Sequence, residues 1–176
     1  MANKIIISVL ILLNGFIGFQ IYKSIKADVD YIDQVREIDL LVIQRLQDIQ
    51  KAQIAYRDMK GEFASDFDTL RMFLLNEQYM KIRSVGDLDR DSLSGLSIDT
   101  VYVNPIEEFY EPGFDVNTLG WVPPQDTVRF ILETDFIEKN NLIVPVYQVT
   151  DPYPFNKNRT LQVGSLTDAV YSGNWK

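Results

Sequence analysis

The sequence predicts an α+β protein in which an N-terminal transmembrane helix continues into a long amphipathic helix, packed against a small antiparallel sheet. Three observations carry this prediction. Residues 5–22, IIISVLILLNGFIGFQIY, hold no charge, and at about 1.5 Å per residue they span roughly 27 Å, near the hydrocarbon thickness of a bilayer. From there no proline or glycine interrupts the chain until Gly61. Beyond Asn76 the apolar period changes from three or four to two, and β-favouring residues take over.

The apolar run is flanked by Lys4 on one side and by Lys23 and Lys26 on the other, with Tyr22 at the interfacial position. A cleaved signal peptide wants a shorter apolar core and small residues before the cut, whereas Ile25 stands at that place. A buried core helix wants a polar face, which only Ser8, Asn14 and Gln20 would supply. A single-pass anchor over residues 1–26 therefore precedes a soluble α+β domain over residues 27–176. A long C-terminal domain after an N-terminal span is the usual signal-anchor layout. The expected location is the cytoplasmic (inner) membrane, with the domain on its periplasmic side. Within the span Asn14, Gly15 and Gly18 are candidates for a helix-packing face, because small residues permit close approach and an amide in lipid seeks a partner.

After the span Val35, Ile38, Val42, Leu46, Ile49, Ala52, Tyr56 and Met59 recur at helical steps, which predicts one helix from the membrane to about residue 60. The four residues 40–43 are apolar in succession, too broad for one stripe. Leu40 and Leu41 are accordingly candidates for contact with a second chain. Gly61 is the expected stop, since glycine adopts the left-handed conformation without penalty. Ser65-Asp66-Phe67-Asp68 reads as a cap with an acid in the first turn, followed by a short helix over residues 66–75. Strands are predicted over residues 79–85, 100–103, 127–133, 143–150 and 160–163. Turn chemistry separates them, including Asn104-Pro105, Asn140-Asn141 and Asp151-Pro152. Pro145 belongs at an edge or a bulge.

Composition excludes much chemistry. The chain of 176 residues has neither cysteine nor histidine, so disulfides, thiolate or imidazole metal sites, and Ser-His-Asp or Cys-His catalysis are absent. Residues 27–176 carry 14 basic and 25 acidic side chains, a net of −11, which repels phosphate backbones and excludes nucleic acid as a partner. Serine nucleophile elbows, phosphate loops and dinucleotide fingerprints are missing as well. Glu107, Glu108 and Glu111 are acids crowded among loop residues. Asp87, Asp89 and Asp91 are spaced like the first ligands of a calcium loop, but Ser92 replaces the turn glycine and Ile98 the bidentate glutamate. A solvated acidic loop accounts for them better. Catalytic, cofactor and metal sites are thus expected to be none.

Aromatic residues point instead to docking. In the run at residues 146–155, VYQVTDPYPF, prolines stiffen Tyr153 and Phe155, which lowers the entropy lost when such side chains dock. Trp175 near the C-terminus is expected either on its own sheet or against a neighbour. Tyr110, Phe114 and Trp121 divide in the same way.

The stretch Ala55-Tyr56-Arg57-Asp58-Met59-Lys60-Gly61-Glu62-Phe63, followed by Asp68-Thr69-Leu70, resembles the helix end of type IV pilins and pseudopilins, as does the order of membrane helix, amphipathic helix and antiparallel sheet. Residues 45–75, together with Leu161-Gln162-Val163-Gly164-Ser165 and Gly173-Asn174-Trp175, look closer still to uncharacterised single-span envelope proteins of Bacteroidetes-type bacteria. The resemblance implies a membrane-anchored structural or assembly subunit of a cell-envelope complex of secretion, pilus-like or motility type. Its partners would be other membrane or envelope chains, including further copies of itself. The alternatives are a pseudopilin-like filament subunit that keeps an unprocessed N-terminus, and a membrane-tethered ligand-binding module.

Overall fold

The computed structural model describes residues 2–85 and 97–175, apart from the side chains of residues 2–9, 11, 82–85 and 97–99. The elements are α1 (Ala2–Lys60), α2 (Phe67–Asn76), β1 (Tyr79–Val85), β2 (Ser97–Val103), α3 (Pro105–Phe109), a 3-10 turn (Val116–Thr118), β3 (Ile131–Lys139), β4 (Leu142–Thr150) and β5 (Gln162–Gly164). The α+β class with a long helix and antiparallel strands is as predicted. By contacts the chain divides into one unit at Met1–Leu40 and a second at Leu41–Lys176.

The first unit is helical throughout its described length. Among the described residues no helix is long and apolar enough to cross a membrane. The apolar run predicted to span lies partly outside the described side chains, at residues 5–9 and 11.

In the second unit the core forms around the last five turns of α1. Val42, Leu46, Ile49, Ala52 and Ala55 are buried, at the three- and four-residue steps of one helix face. The chain then reverses. Gly61 takes φ +82, and its N–H donates to the Arg57 carbonyl at 2.7 Å, ending the helix as predicted. The reversal is held from inside by Gln53, which is fully buried. Its Nε2 donates to the Ala64 carbonyl at 3.0 Å, and its Oε1 accepts the Ala64 N–H at 2.9 Å. One side-chain amide thereby satisfies both polar groups of a backbone unit that has no ladder to join. Asp66 caps α2, accepting the Thr69 N–H at 2.7 Å. Leu70, Phe73 and Leu74 bury the inner face of α2.

The described strands make two sheets rather than the single one expected: β1 with β2, and β3-β4-β5, all antiparallel. The β3–β4 hairpin turns on Asn140 and Asn141 at φ 53 and 62, the left-handed pair that a two-residue hairpin loop demands. Its first strand lies further along than residues 127–133. Arg129 makes only an isolated bridge to Trp121, and β3 runs instead through the acids Glu133, Asp135 and Glu138, where pairing with β4 overrides low β propensity. Val146, Tyr147 and Val149 of β4 and Val163 of β5 are fully buried. Pro145 pairs with Phe136 at a level of β4 that β5 does not reach. Its carbonyl accepts from Tyr171 Oη at 3.1 Å, so no ladder bond is lost at the missing N–H. Gly164, at φ +80, passes so close to β4 that an added Cβ would lie 2.1 Å from the Tyr147 carbonyl oxygen.

Asn104-Pro105, read in sequence as a turn, instead starts the short helix α3. Asn104 accepts the Ile106 N–H, proline occupies the first turn, and Glu107 and Glu108 follow, the full chemistry of a helix start.

Two outcomes follow for stability. Gln53→Leu strands the buried Ala64 N–H and carbonyl and is expected to lower unfolding free energy by about 2–4 kcal/mol in urea titrations. Asp66→Ala removes the α2 cap and is expected to cost about 1 kcal/mol at neutral pH. The backbone hydrogen bond from Thr69 holds the Asp66 carboxyl below its ordinary value, so the cap stabilises above the unfolded-state pKa and fades as pH falls through the lower folded-state one. The gap between wild type and Asp66→Ala should therefore close on acidification, as urea midpoints measured across that range will report.

Candidate functional site

The sequence-predicted contact residues are divided between the two units. Asn14, Gly15 and Gly18 lie exposed on α1 in the first unit. Nothing lies within 4 Å of a Cβ built on either glycine, and Asn14 Nδ2 donates back to the Leu10 carbonyl at 2.8 Å. Leu40 ends that unit and is exposed; Leu41 opens the next and is exposed as well, while its neighbour Val42 is buried.

Tyr153 and Phe155 follow β4. The carboxylate of buried Asp151 accepts the Tyr153 N–H at 2.9 Å, and the Asp151 N–H donates to Leu161 at 3.0 Å. This tight turn leaves the Tyr153 ring 75% exposed. Trp175 is half-buried and lies over Gly173, where a Cβ would meet its ring at 2.1 Å. The preceding residue pins this end of the chain to the edge of β5: Asn174 Oδ1 accepts the Gln162 N–H at 3.1 Å and its Nδ2 donates to Thr160 at 2.8 Å. Trp175 is thus folded back over its own chain at Gly173, which bridges to Val163 of β5.

Tyr110 is buried in the second unit, with half-buried Phe114 against it. Their rings stack at 4.0 Å, and Tyr110 Oη donates to the Asp48 carbonyl of α1 at 2.7 Å. Burial pushes this phenol's pKa well above its ordinary value, which keeps it a donor at all physiological pH. Tyr147 is raised for the same reason. Beside it, the Arg57 guanidinium sits 5.6 Å from Phe63 and 5.1 Å from Tyr171, with Asp58 at 2.7 Å as counter-charge. These are packing arrangements.

Small cavities open among the described residues of the second unit. One of about 130 Å³ is lined by Tyr56, Phe63, Thr134, Asp135, Phe136 and Pro145. Another, about 180 Å³, gathers Arg71, Arg129, Trp121, Asp68 and Asn117. Arg129 stacks on Trp121 at 4.7 Å, and Arg71 donates to Asn117 at 3.2 Å. Both volumes fall below the roughly 300–1,000 Å³ of small-molecule sites. Among the described residues no group of three or more acids could hold a metal ion; Asp87, Asp89 and Asp91 lie outside them.

Sequence reasoning missed the exposed apolar side chains near the tip of the β3–β4 hairpin, where Phe136 and Ile143 share one face and Leu142 lies on the other. Phe136, Leu142 and Ile143 are 54–77% exposed. The signal was present, since Asn140-Asn141 fixes the turn and three successive apolar residues after it cannot all face one side of a sheet. On β3 the Asp135 carboxylate accepts the N–H of its own neighbour Phe136 at 2.8 Å.

No protein-family model, curated protein or solved structure matches this chain. Replacing Leu142 and Ile143 by serine is expected to change stability by no more than about 0.5 kcal/mol while reducing binding of a hydrophobic dye to the native protein. A loss of several kcal/mol in urea titrations would instead place these side chains in the folded core.

Proposed function

We propose that this chain is a membrane-anchored structural or assembly subunit of a bacterial cell-envelope complex, held by residues 5–22 in the cytoplasmic membrane with its α+β unit on the outer side. One observation carries the reading: an uncharged run of membrane-spanning length opens a helix of 59 residues whose exposed side chains stay apolar well past the run, at Ile25, Val29 and Ile32. A helix that is apolar where its own domain does not cover it calls for lipid first and protein next. The reading assigns the chain no catalytic step. It rests on anchoring and contact, which need neither cysteine nor histidine.

A second reading, a membrane-tethered binding module, draws on the cavity of Arg71 and Arg129, and a chain that purifies in mild detergent without partners favours it. The pilin-like stretch at the end of α1 supports a filament-forming variant, for which the observation to seek is polymer on the cell surface.

The full chain is expected to sediment with membranes and to resist carbonate extraction. Because the native protein has no thiol, Lys157→Cys on the exposed loop after β4 gives a clean topology reporter. Labelling by an impermeant maleimide in intact spheroplasts supports the outward orientation, labelling only after lysis inverts it, and release of intact chain into the soluble fraction removes the anchor.

A further inference from the structure

The apolar character of α1 in the first unit is organised as an eleven-residue repeat. Asn14, Ile25 and Arg36 share one position of it, Gly18, Val29 and Leu40 a second, Ile21 and Ile32 the third. The steps are 4, 3, 4, 4, 3, 4 and 4. Eleven residues at about 100° each overshoot three full turns by only about 20°, so these positions remain on one face of the helix. Ile21, Ile25, Val29, Ile32 and Leu40 are each 50–60% exposed. The opposite face carries Lys23, Asp30, Gln34 and Glu37, exposed and polar.

Lipid can cover this stripe only as far as the apolar run extends, and beyond Tyr22 it continues for eighteen residues to Leu40. A helix unsupported by tertiary packing is marginal in water, so the outer part of the stripe requires another helix. The repeat suits one. At 11/3 residues per turn it lies close to the helix's own period, which lets two nearly straight helices stay in contact over the whole length.

We infer that a second copy of this chain packs in parallel and in register along the face from Asn14 to Leu40. The polar positions identify the occupant. In that register Gly18 meets Gly18, where the backbones can approach, and Asn14 meets Asn14, where two amides can hydrogen-bond within the apolar run. Arg36 enters the seam with Asp33 on one flank and Asp39 on the other. Within its own chain Arg36 already lies 3.7 Å from Asp33, so each arginine brings a charge to which the other copy's acids are complementary. An antiparallel pair would set Asn14 near the level of Leu40 and leave Arg36 facing the apolar run. The parallel sense rests on the membrane-anchored reading, since two chains anchored by the same segment enter from the same side.

The test uses the full chain in its native membranes and exploits the lack of cysteine. Single variants Val29→Cys and Ile32→Cys sit on the stripe, Asp30→Cys and Gln34→Cys on the opposite face. Mild oxidation is expected to convert most of the stripe variants to a disulfide-linked dimer and only a minor fraction of the other two. Adding Arg36→Glu to Val29→Cys, which places a third acid between Asp33 and Asp39, is expected to abolish the cross-link. Equal yields around the helix, or stripe variants that couple only to other proteins, would overturn the inference. Fractionation of the same samples keeps the two readings apart. Membrane-bound chain without stripe cross-links defeats the pairing alone, whereas soluble chain defeats the anchor, and the cross-linking pattern still decides the stripe.

Discussion

The second unit depends on a single buried amide. α1 must end and the chain must fold back so that α2 and the strands can reach the apolar face of the helix, and the backbone at the reversal has no strand or helix to satisfy it. Gln53 supplies both hydrogen bonds at Ala64 from a fully buried position. A polar group so placed is costly unless fully paired and specific when it is. Around it several side chains of α1 bond to backbone carbonyls of later loops, Arg45 to Thr118 and Trp121 and Gln50 to Tyr171, while Lys60 pairs with Glu77 beyond α2. Tyr110 returns the contact from the loop side. The helix is the common acceptor and donor for a largely irregular chain.

Local signals were legible and pairing was not. The length of α1, its stop at Gly61 and the Asp66 cap all follow from steric and capping rules that act within a turn or two. Which strands share a sheet is decided by partners far along the chain. Glu133, Asp135 and Glu138 look unlike strand residues until β4 lies beside them, and for that reason β3 was placed too early. The short helix after Asn104 is a different failure, because cap, proline and first-turn acids were all adjacent. Gln53 was illegible for a physical reason: in sequence a glutamine on a helix is a solvated residue, and only the fold reveals what it faces.

The same division holds for the surfaces. That Leu40 and Leu41 exceed a single stripe could be seen from their adjacency, and both are exposed. That Tyr110 stacks inside while Tyr153 stands out could not, since each is an aromatic among loop residues. The eleven-residue pattern is written plainly in the sequence, yet glycine, asparagine and arginine occupy three of its positions, and a search for apolar residues alone passes over it.

The bond from Asp135 back to the Phe136 N–H has a consequence for how anything could attach to the hairpin. Among the described strands β3 lies at the end of its sheet, and a bordering strand with free donors invites strand addition, the route by which sheets recruit peptides or propagate into aggregates. Here a carboxylate already occupies a donor in the middle of that border, and Glu133 and Glu138 add like charge along it. Two such borders would repel each other. Phe136 and Ile143 on one face of the hairpin and Leu142 on the other are therefore approachable through side chains, while a strand laid along the border would meet a donor already taken and a row of acids.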